Sequence, residues 1–575
     1  MKRFKILITI LTLGTLMFAC TEDFLEYKPK GTVSGDQLNT PERVDKMCIA
    51  AYSALGNDHW TVPYTSLWPY GSVRSDNSYK GGGGTADVPG FNKLEQFAFI
   101  TTDMSDGDLL WHRLFIGVSR ANKALKRLEE LSEDEFAKKT TRMAEMRFLR
   151  GHFNFLLKIN FKHIPYIHED IPADSLKNIS NRKYSSQELW DKIAADFEYA
   201  QNNLPADQED VGRADKFKAK AYLAKTLLYQ AYEQDKEYNV VNIDQQKLER
   251  VVSLVNDVIG SGKYDLFDDY AKNFLWQYEN GPESVFAIQN SIDDGTESGR
   301  LDMGNGLNHN MASEYGCCWF HIPSQNLVNA YETSADGLPL FDTFNQSDMK
   351  DSAQFQDNTV DPRLDHTVGI PGHPFKYKPD FVYQTGWART PNIYGYYSTM
   401  KEIQQPDCPC FKKVGPFYAS SKNTIVIRYA DVLLWKAEAL IELGREDEAL
   451  PIINRIRGRA QQSTGRLERS NGDPISNYSM QTYKPGENCT WTQDFARKAL
   501  RWERRLEFAM EGWRFYDLVR WGIAAETINS YFEEEKTKRE YLKEAHFTEN
   551  RDEYLPIPQQ QIDFSEGTYK QNPGW

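Results

Sequence analysis

The chain has 575 residues and a formal charge of −14, with 26% charged and 13% aromatic residues. That length buries a sizeable core without covalent staples, and seven cysteines are too few for a disulfide scaffold. A surface this acidic repels phosphate polymers and anionic headgroups, which argues against nucleic acid as a partner.

Lys2, Arg3 and Lys5 precede an apolar run from Ile6 to Phe18, 13 residues long and short of the ~20 needed to span a bilayer. Residues 1–19 therefore read as a secretion signal. Its removal takes three positive charges with it and leaves −17. Ala19 and Cys20 resemble the lipobox of bacterial lipoproteins, where cleavage leaves the cysteine as an acylated N-terminus. Met17 and Phe18 stand where Leu and a small residue are usual, so cleavage after another small residue stays open. Acyl chains at Cys20 would tether the protein to a membrane while residues 20–40 and the rest stay in water. Thr21, Glu22 and Asp23 resemble a surface-export signal. No second apolar run of spanning length follows.

Residues 56–107 break helical periodicity and contain "GGGG" at 81–84. From Asp108 amphipathic helices dominate: Leu110, Leu114, Val118, Ala121, Leu125 and Leu128 recur at three- and four-residue steps. "MAEMRFLRGHFNFLLKINF" continues until Pro165, and "SSQELWDKIAADFEYAQNNLP" opens on capping serines and stops at Pro205. "KFKAKAYLAKTLLYQAY" and "KLERVVSLVNDVIGSGKYDL" form another pair. Residues 281–425 are irregular and rich in Gly, Pro, Asn, Tyr and Trp, with short strands predicted at "SVFAIQN" and "NTIVIRY". "YADVLLWKAEALIELGREDEALPIINRIRGRA" then predicts two helices around Gly444, close to the ~34-residue tetratricopeptide unit, although an unrelated helical hairpin fits that segment alone. The predicted fold is mostly α, a tetratricopeptide-like helical scaffold carrying long, partly β, loop-rich insertions.

Few motifs carry chemistry. The four glycines lack the Lys-Ser/Thr of a phosphate loop and do not open a helix, so they read as a flexible surface turn. HExxH, GxSxG and EF-hand spacings are missing, and His309 and His321 are the nearest to a clustered histidine pair. Cys317-Cys318 and Cys408-Pro409-Cys410 lack zinc-ribbon spacing and, being so close, read as ordinary thiols, their disulfide state left open. The 82 carboxylates allow a glycosidase pair to be imagined, but spacing in sequence says nothing of spacing in space. Aromatics in Gly/Asn-rich loops beside Asp, Asn and Arg, such as Trp60, Trp68, Tyr79, Tyr315, Trp319 and Trp387, have the makeup of a sugar platform, which needs rings for C–H faces and planar polar groups for hydroxyls.

Several segments in order resemble the SusD/RagB lipoproteins: "CTEDFLEYKP", "RSDNSYKGGGG", "EMRFLRGHFNFLL", "GRADKFKAKAYLAKTLLY", "YGCCWFHIPSQNLVNAYET", "DPRLDHTVGIPG", "RRLEFAMEGWRFYDLVRWG" and "QNPGW". The resemblance implies an N-terminal part at 41–270 and a C-terminal part at 271–575, intertwined in one unit, with four helix pairs supporting a loop-rich ligand face. It implies a binding protein without catalysis, anchored outside the outer membrane, that passes glycan to a TonB-dependent barrel transporter of the SusC type. The helices of 108–260 and 429–460 are the candidate transporter face. A peptide-binding counterpart is the alternative, and a secreted glycosidase the third. No cofactor is implied, and structural calcium stays open. By match to family positions, Asp76, Asn77 and Tyr79 are the first-choice ligand residues, with Tyr315 and Trp319 second. Trp387 and Arg389 follow from composition and neighbourhood. Asp361, Pro362 and Arg363 read as a loop-fixing motif in preference to a ligand site.

Overall fold

The amphipathic period becomes a continuous series of packed helices. The computed structural model describes residues 39–56, 59–296 and 300–575, so the signal, Cys20 and most of the tether lie outside the described residues. Helix α1 (Pro41–Tyr52) starts on a proline, whose missing N–H would be unpaired there in any case. Helix α2 (Pro89–Gln96) stands within the first irregular segment. The scaffold proper is α3 (Ser105–Glu129), α4 (Lys139–Phe161), α5 (Ser186–Asn203), α6 (Lys216–Ala231) and α7 (Gln245–Gly260), each packed against the next.

Across the long insertion, α8 (Tyr429–Glu442) packs on α7 and carries the series on to α9 (Glu446–Gln462) and α10 (Gln493–Glu507). The predicted face of α3 is buried throughout, from Leu110 to Leu128. Gly117 lets α3 and α4 approach, because a Cβ there would sit 2.4 Å from the Phe153 ring. Ser185 and Glu188 close a reciprocal cap at the start of α5, satisfying two N–H groups that the helix cannot. Two further helices, α11 (Arg514–Arg520) and α12 (Ala524–Lys538), follow and face the loops. Among the described residues no helix is long and apolar enough to cross a membrane.

The insertions add two-stranded antiparallel pieces. Strand β1 (Ser78–Gly81) pairs with β3 (Phe320–Pro323), with Tyr79 opposite Ile322 and Gly81 opposite Phe320. The two predicted strands, β2 (Ser284–Ile288) and β6 (Thr424–Arg428), pair with each other although nearly the whole insertion separates them. Strands β4 (Phe411–Val414) and β5 (Phe417–Ser420) form a hairpin.

A buried ionic lattice ties loops to scaffold. Arg363 donates to both oxygens of Asp361, to Glu503 at 2.6 Å and to Glu507 at 3.1 Å. Arg428 and Arg459 reach both Glu283 and Glu507. Burial alone would raise the Glu507 carboxyl, but Arg459, Arg428 and Arg363 hold it far below the usual carboxylate range. The Asp361-Pro362-Arg363 motif thus fastens an insertion loop to α10.

The reading of the paired cysteines as thiols is corrected. Cys317 is bonded to Cys318 and Cys408 to Cys410, while Cys48 and Cys489 are free. Pro409 bends the chain so that the Cys408 and Cys410 Cα atoms are 5.1 Å apart, within the ordinary range for a disulfide.

Candidate functional site

Five of the seven expected ligand residues are interior. Asp76 is gripped through two parallel 2.9 Å bonds from Arg514 and lies 3.2 Å from Arg505. Burial would raise its carboxyl, but Arg505 and Arg514 bring it down to about 2. Asn77 accepts from Arg505 at 3.1 Å, and its carbonyl receives the Ser324 N–H. The Tyr79 hydroxyl donates to Glu535 and accepts the Gln325 N–H, which joins β1 to α12. Tyr315 donates to the Gln404 carbonyl, and the Trp319 indole N–H to that of Tyr397. All five side chains are buried, so none offers a ring face to solvent. Their physical role is to hold the loops above them.

Trp387 and Arg389 are at the surface. The Trp387 ring is half-buried on an aromatic bed, 4.7 Å from Phe381, 5.4 Å from Tyr383 and 6.1 Å from Phe375. Its carbonyl accepts the Met311 N–H at 2.9 Å, which ties this loop to the segment leading into Cys317. Gln384, Thr385 and Gly386 beside it are exposed. Arg389 is exposed and paired to Asp87 at 2.9 Å, and the same Asp87 oxygen accepts the Gly83 N–H at 2.8 Å. One carboxylate therefore positions both the arginine and the glycine loop.

That loop is not a flexible turn. Gly82 has φ +79°, and a Cβ there would meet Phe320 Cζ at 2.4 Å. Its N–H bonds to the Trp319 carbonyl at 2.7 Å, and its own carbonyl accepts from Thr390. Lys80 donates to the carbonyls of Gly84 (2.8 Å) and Asp87, closing the loop from beneath, with its ammonium over the Phe320 ring. Glycine is needed for a positive φ in close quarters, a requirement opposite to flexibility.

Gly83, Trp387 and Arg389 thus all reach the surface, with Gly83 and Arg389 joined through Asp87. Sequence reasoning missed Lys80, Asp87 and Phe381. Asp87, three residues past the glycines, is the signal that could have found the clasp; Phe381 carried none. Among the described residues no group of three or more His, Cys, Asp or Glu could hold a metal ion.

The SusD family model matches residues 282–575, more than half of the chain. The chain belongs to the SusD family. A second family model, described as starch-binding associating with outer membrane, matches residues 23–228 of this SusD-family protein. The SusD-like protein P38 of Formosa agariphila is 27% identical over 548 residues, covering 92% of this chain and 94% of that protein. Surface glycan-binding protein A from Bacteroides fluxus superposes with a TM-score of 0.67 at 24% identity, over 93% of this chain and 100% of that one. The protein of the same name from Bacteroides thetaiotaomicron, in complex with laminarihexaose, does so at 0.64 with 20% identity, over 93% and 99%. These two likenesses show a common fold: the mostly helical scaffold with loop-rich, partly β insertions.

Proposed function

We propose that this SusD-family protein is a cell-surface lipoprotein that binds glycan without altering it. The observation that carries the reading is the Trp387 face: a ring bedded on Phe381, Tyr383 and Phe375, with Arg389 fixed by Asp87 two residues along. A pyranose lays its C–H face on such a ring, and its hydroxyls accept from a guanidinium held in place beforehand. The glycan-binding names of structural neighbours and the description of the second family model support the same ligand class.

In this reading Cys20 carries the acyl chains that hold the protein on the outer membrane. The scaffold helices within 108–260 and 429–460 rest on a TonB-dependent SusC-like barrel transporter, into which the glycan passes. Asp76, Asn77, Tyr79, Tyr315 and Trp319 act beneath the site as its supports, while Trp387 and Arg389 touch the ligand. Affinity electrophoresis through polysaccharide-loaded gels, laminarin among them, tests it. Retention that weakens about two- to twelvefold in Trp387→Ala with the fold intact is the expected result. Binding to peptides alone, or release of reducing ends by the purified protein, would overturn it.

A further inference from the structure

A cleft of about 670 Å³ opens between the last turn of α9 and the loop that leads on to α10. That volume is within the roughly 300–1,000 Å³ of small-molecule sites. Gln461 and Thr464 line one part of it and the stretch 474–481 another, in which Asn477–Tyr478 runs parallel to Thr359–Val360. Pro362 of the Asp361-Pro362-Arg363 motif lines it as well. Glu468 and Pro474 pair at the base of a hairpin whose Ser470 donates to Asp380 at 2.8 Å, one residue before the Phe381 that beds Trp387. The cleft shares no lining residue with that bed.

Its polar side chains are open to solvent. Asn477 and Gln481 are exposed, and neither side chain makes a hydrogen bond within the protein. The hydroxyls of the half-buried Thr464 and Ser479 have no partner either and are not enclosed. Gln461 is held by its amide nitrogen, which donates to the Met480 carbonyl at 2.7 Å, and Gln356 is held likewise by the Ile475 carbonyl at 2.6 Å. Each keeps its Oε1 unpaired. The half-buried Tyr478 ring is fixed by the 2.9 Å bond from its hydroxyl to Asp365, and the Pro474 ring beside it is exposed.

What the cleft lacks narrows the ligand. Residues with charge make up 26% of the chain, yet Glu468 is the one charged side chain lining the cleft. An anion therefore finds no cation there, since Arg469 in the hairpin is spent on Gly372, Ser352 and Ile475. An extended peptide finds no free ladder. The N–H groups of Tyr478, Ser479 and Gln481 and the carbonyls of Ile475, Ser479, Met480 and Gln481 all bond within the protein. Side-chain amides and hydroxyls remain, next to a tyrosine and a proline ring, and these suit a neutral molecule with many hydroxyls and a C–H face.

We propose that this cleft is a second ligand site, which binds a neutral oligosaccharide. Its hydroxyls pair with the Asn477 and Gln481 amides, the Thr464 hydroxyl and the Gln461 Oε1, and its C–H groups lie against Tyr478 and Pro474. The proposal does not depend on the Trp387 ring.

Crystals of the full chain are soaked separately in maltotriose, laminaritriose, xylotriose, mannotriose, trialanine and inorganic phosphate. The same six are titrated by calorimetry into Trp387→Ala protein, so that binding at that ring does not contribute. Density for at least one trisaccharide beside Asn477 and Gln481 is expected, with its affinity about fivefold weaker in each of Asn477→Ala, Gln481→Ala and Thr464→Val. The first two residues are exposed and the third change keeps the side-chain shape, so all three variants are expected to unfold at the parent midpoint. A cleft holding none of the four sugars, a cleft holding trialanine or phosphate alone, or affinity unchanged in all three variants overturns the proposal. Gel retention compared between native and Trp387→Ala protein reads the other site by itself, so failure of either is distinguished from failure of the other.

Discussion

Asp76→Asn separates a supporting role from a ligand role. The substitution keeps the shape of the side chain but removes the charge that two arginines share. The native carboxyl is brought down to about 2 from an ordinary 3.8, and at about 1.36 kcal/mol per unit the charge stabilises the fold by roughly 2 kcal/mol. Removing one partner of a buried pair costs about 3–5 kcal/mol in general, but Arg505 keeps Asn77 and Asn326 as acceptors, so the lower figure applies. Because the folded value is depressed, the stabilisation is complete above about pH 4 and is lost as pH falls through about 2. Urea unfolding of both proteins at pH 7 and at pH 2.5 therefore gives a gap of about 2–3 kcal/mol that narrows in acid. A variant with native stability at pH 7 that nevertheless loses glycan binding would refute this reasoning and restore Asp76 as a contact.

Trp387→Ala removes one stacking ring, worth about 0.5–1.5 kcal/mol, so polysaccharide retention measured in gels weakens about two- to twelvefold. Gly82→Ala puts a Cβ 2.4 Å from Phe320 at φ +79°; overpacking costs about 1–3 kcal/mol, read as a lower urea midpoint, and amide exchange at 81–87 speeds up. Lys225 sits 3.2 Å above the Trp513 ring with no hydrogen-bond partner, and burial lowers its ammonium from 10.5 to about 7. The unfolded chain binds this proton more tightly, so stability rises by up to about 1.36 kcal/mol per pH unit between pH 7 and 10.5; Lys225→Met flattens that slope and is the more stable protein at pH 6. An unchanged slope in the variant would show that Lys225 is not desolvated as described.

The helices were legible because their signal is local. Leu110 to Leu128 repeat within the same element that buries them, Ser185 finds Glu188 three residues away, and the breaks at Pro165 and Pro205 need no distant partner. The short strands at 284–288 and 424–428 were legible for the same reason, through alternation, while their pairing with each other was not. Burial in the insertions is decided by residues far off in the chain: Tyr79 by Glu535, Asp76 by Arg514, Trp319 by Tyr397. Match to family positions therefore ranked those aromatic and polar loop residues as ligand candidates and folding put them underneath, whereas Trp387 and Arg389, chosen by composition and neighbourhood, came to the surface.

What the sequence determined by itself was the helical scaffold and the motifs placing this chain among the SusD proteins, since periodicity, caps and linear motifs are properties of neighbouring residues. Tertiary structure decided which rings reach solvent, that the four glycines are a clasped loop, that the close cysteines join, and that Gln461 and Gln481 end in one cleft. Each of those depends on which distant groups satisfy a residue's polar atoms and cover its apolar area, and that is settled only when the chain closes on itself.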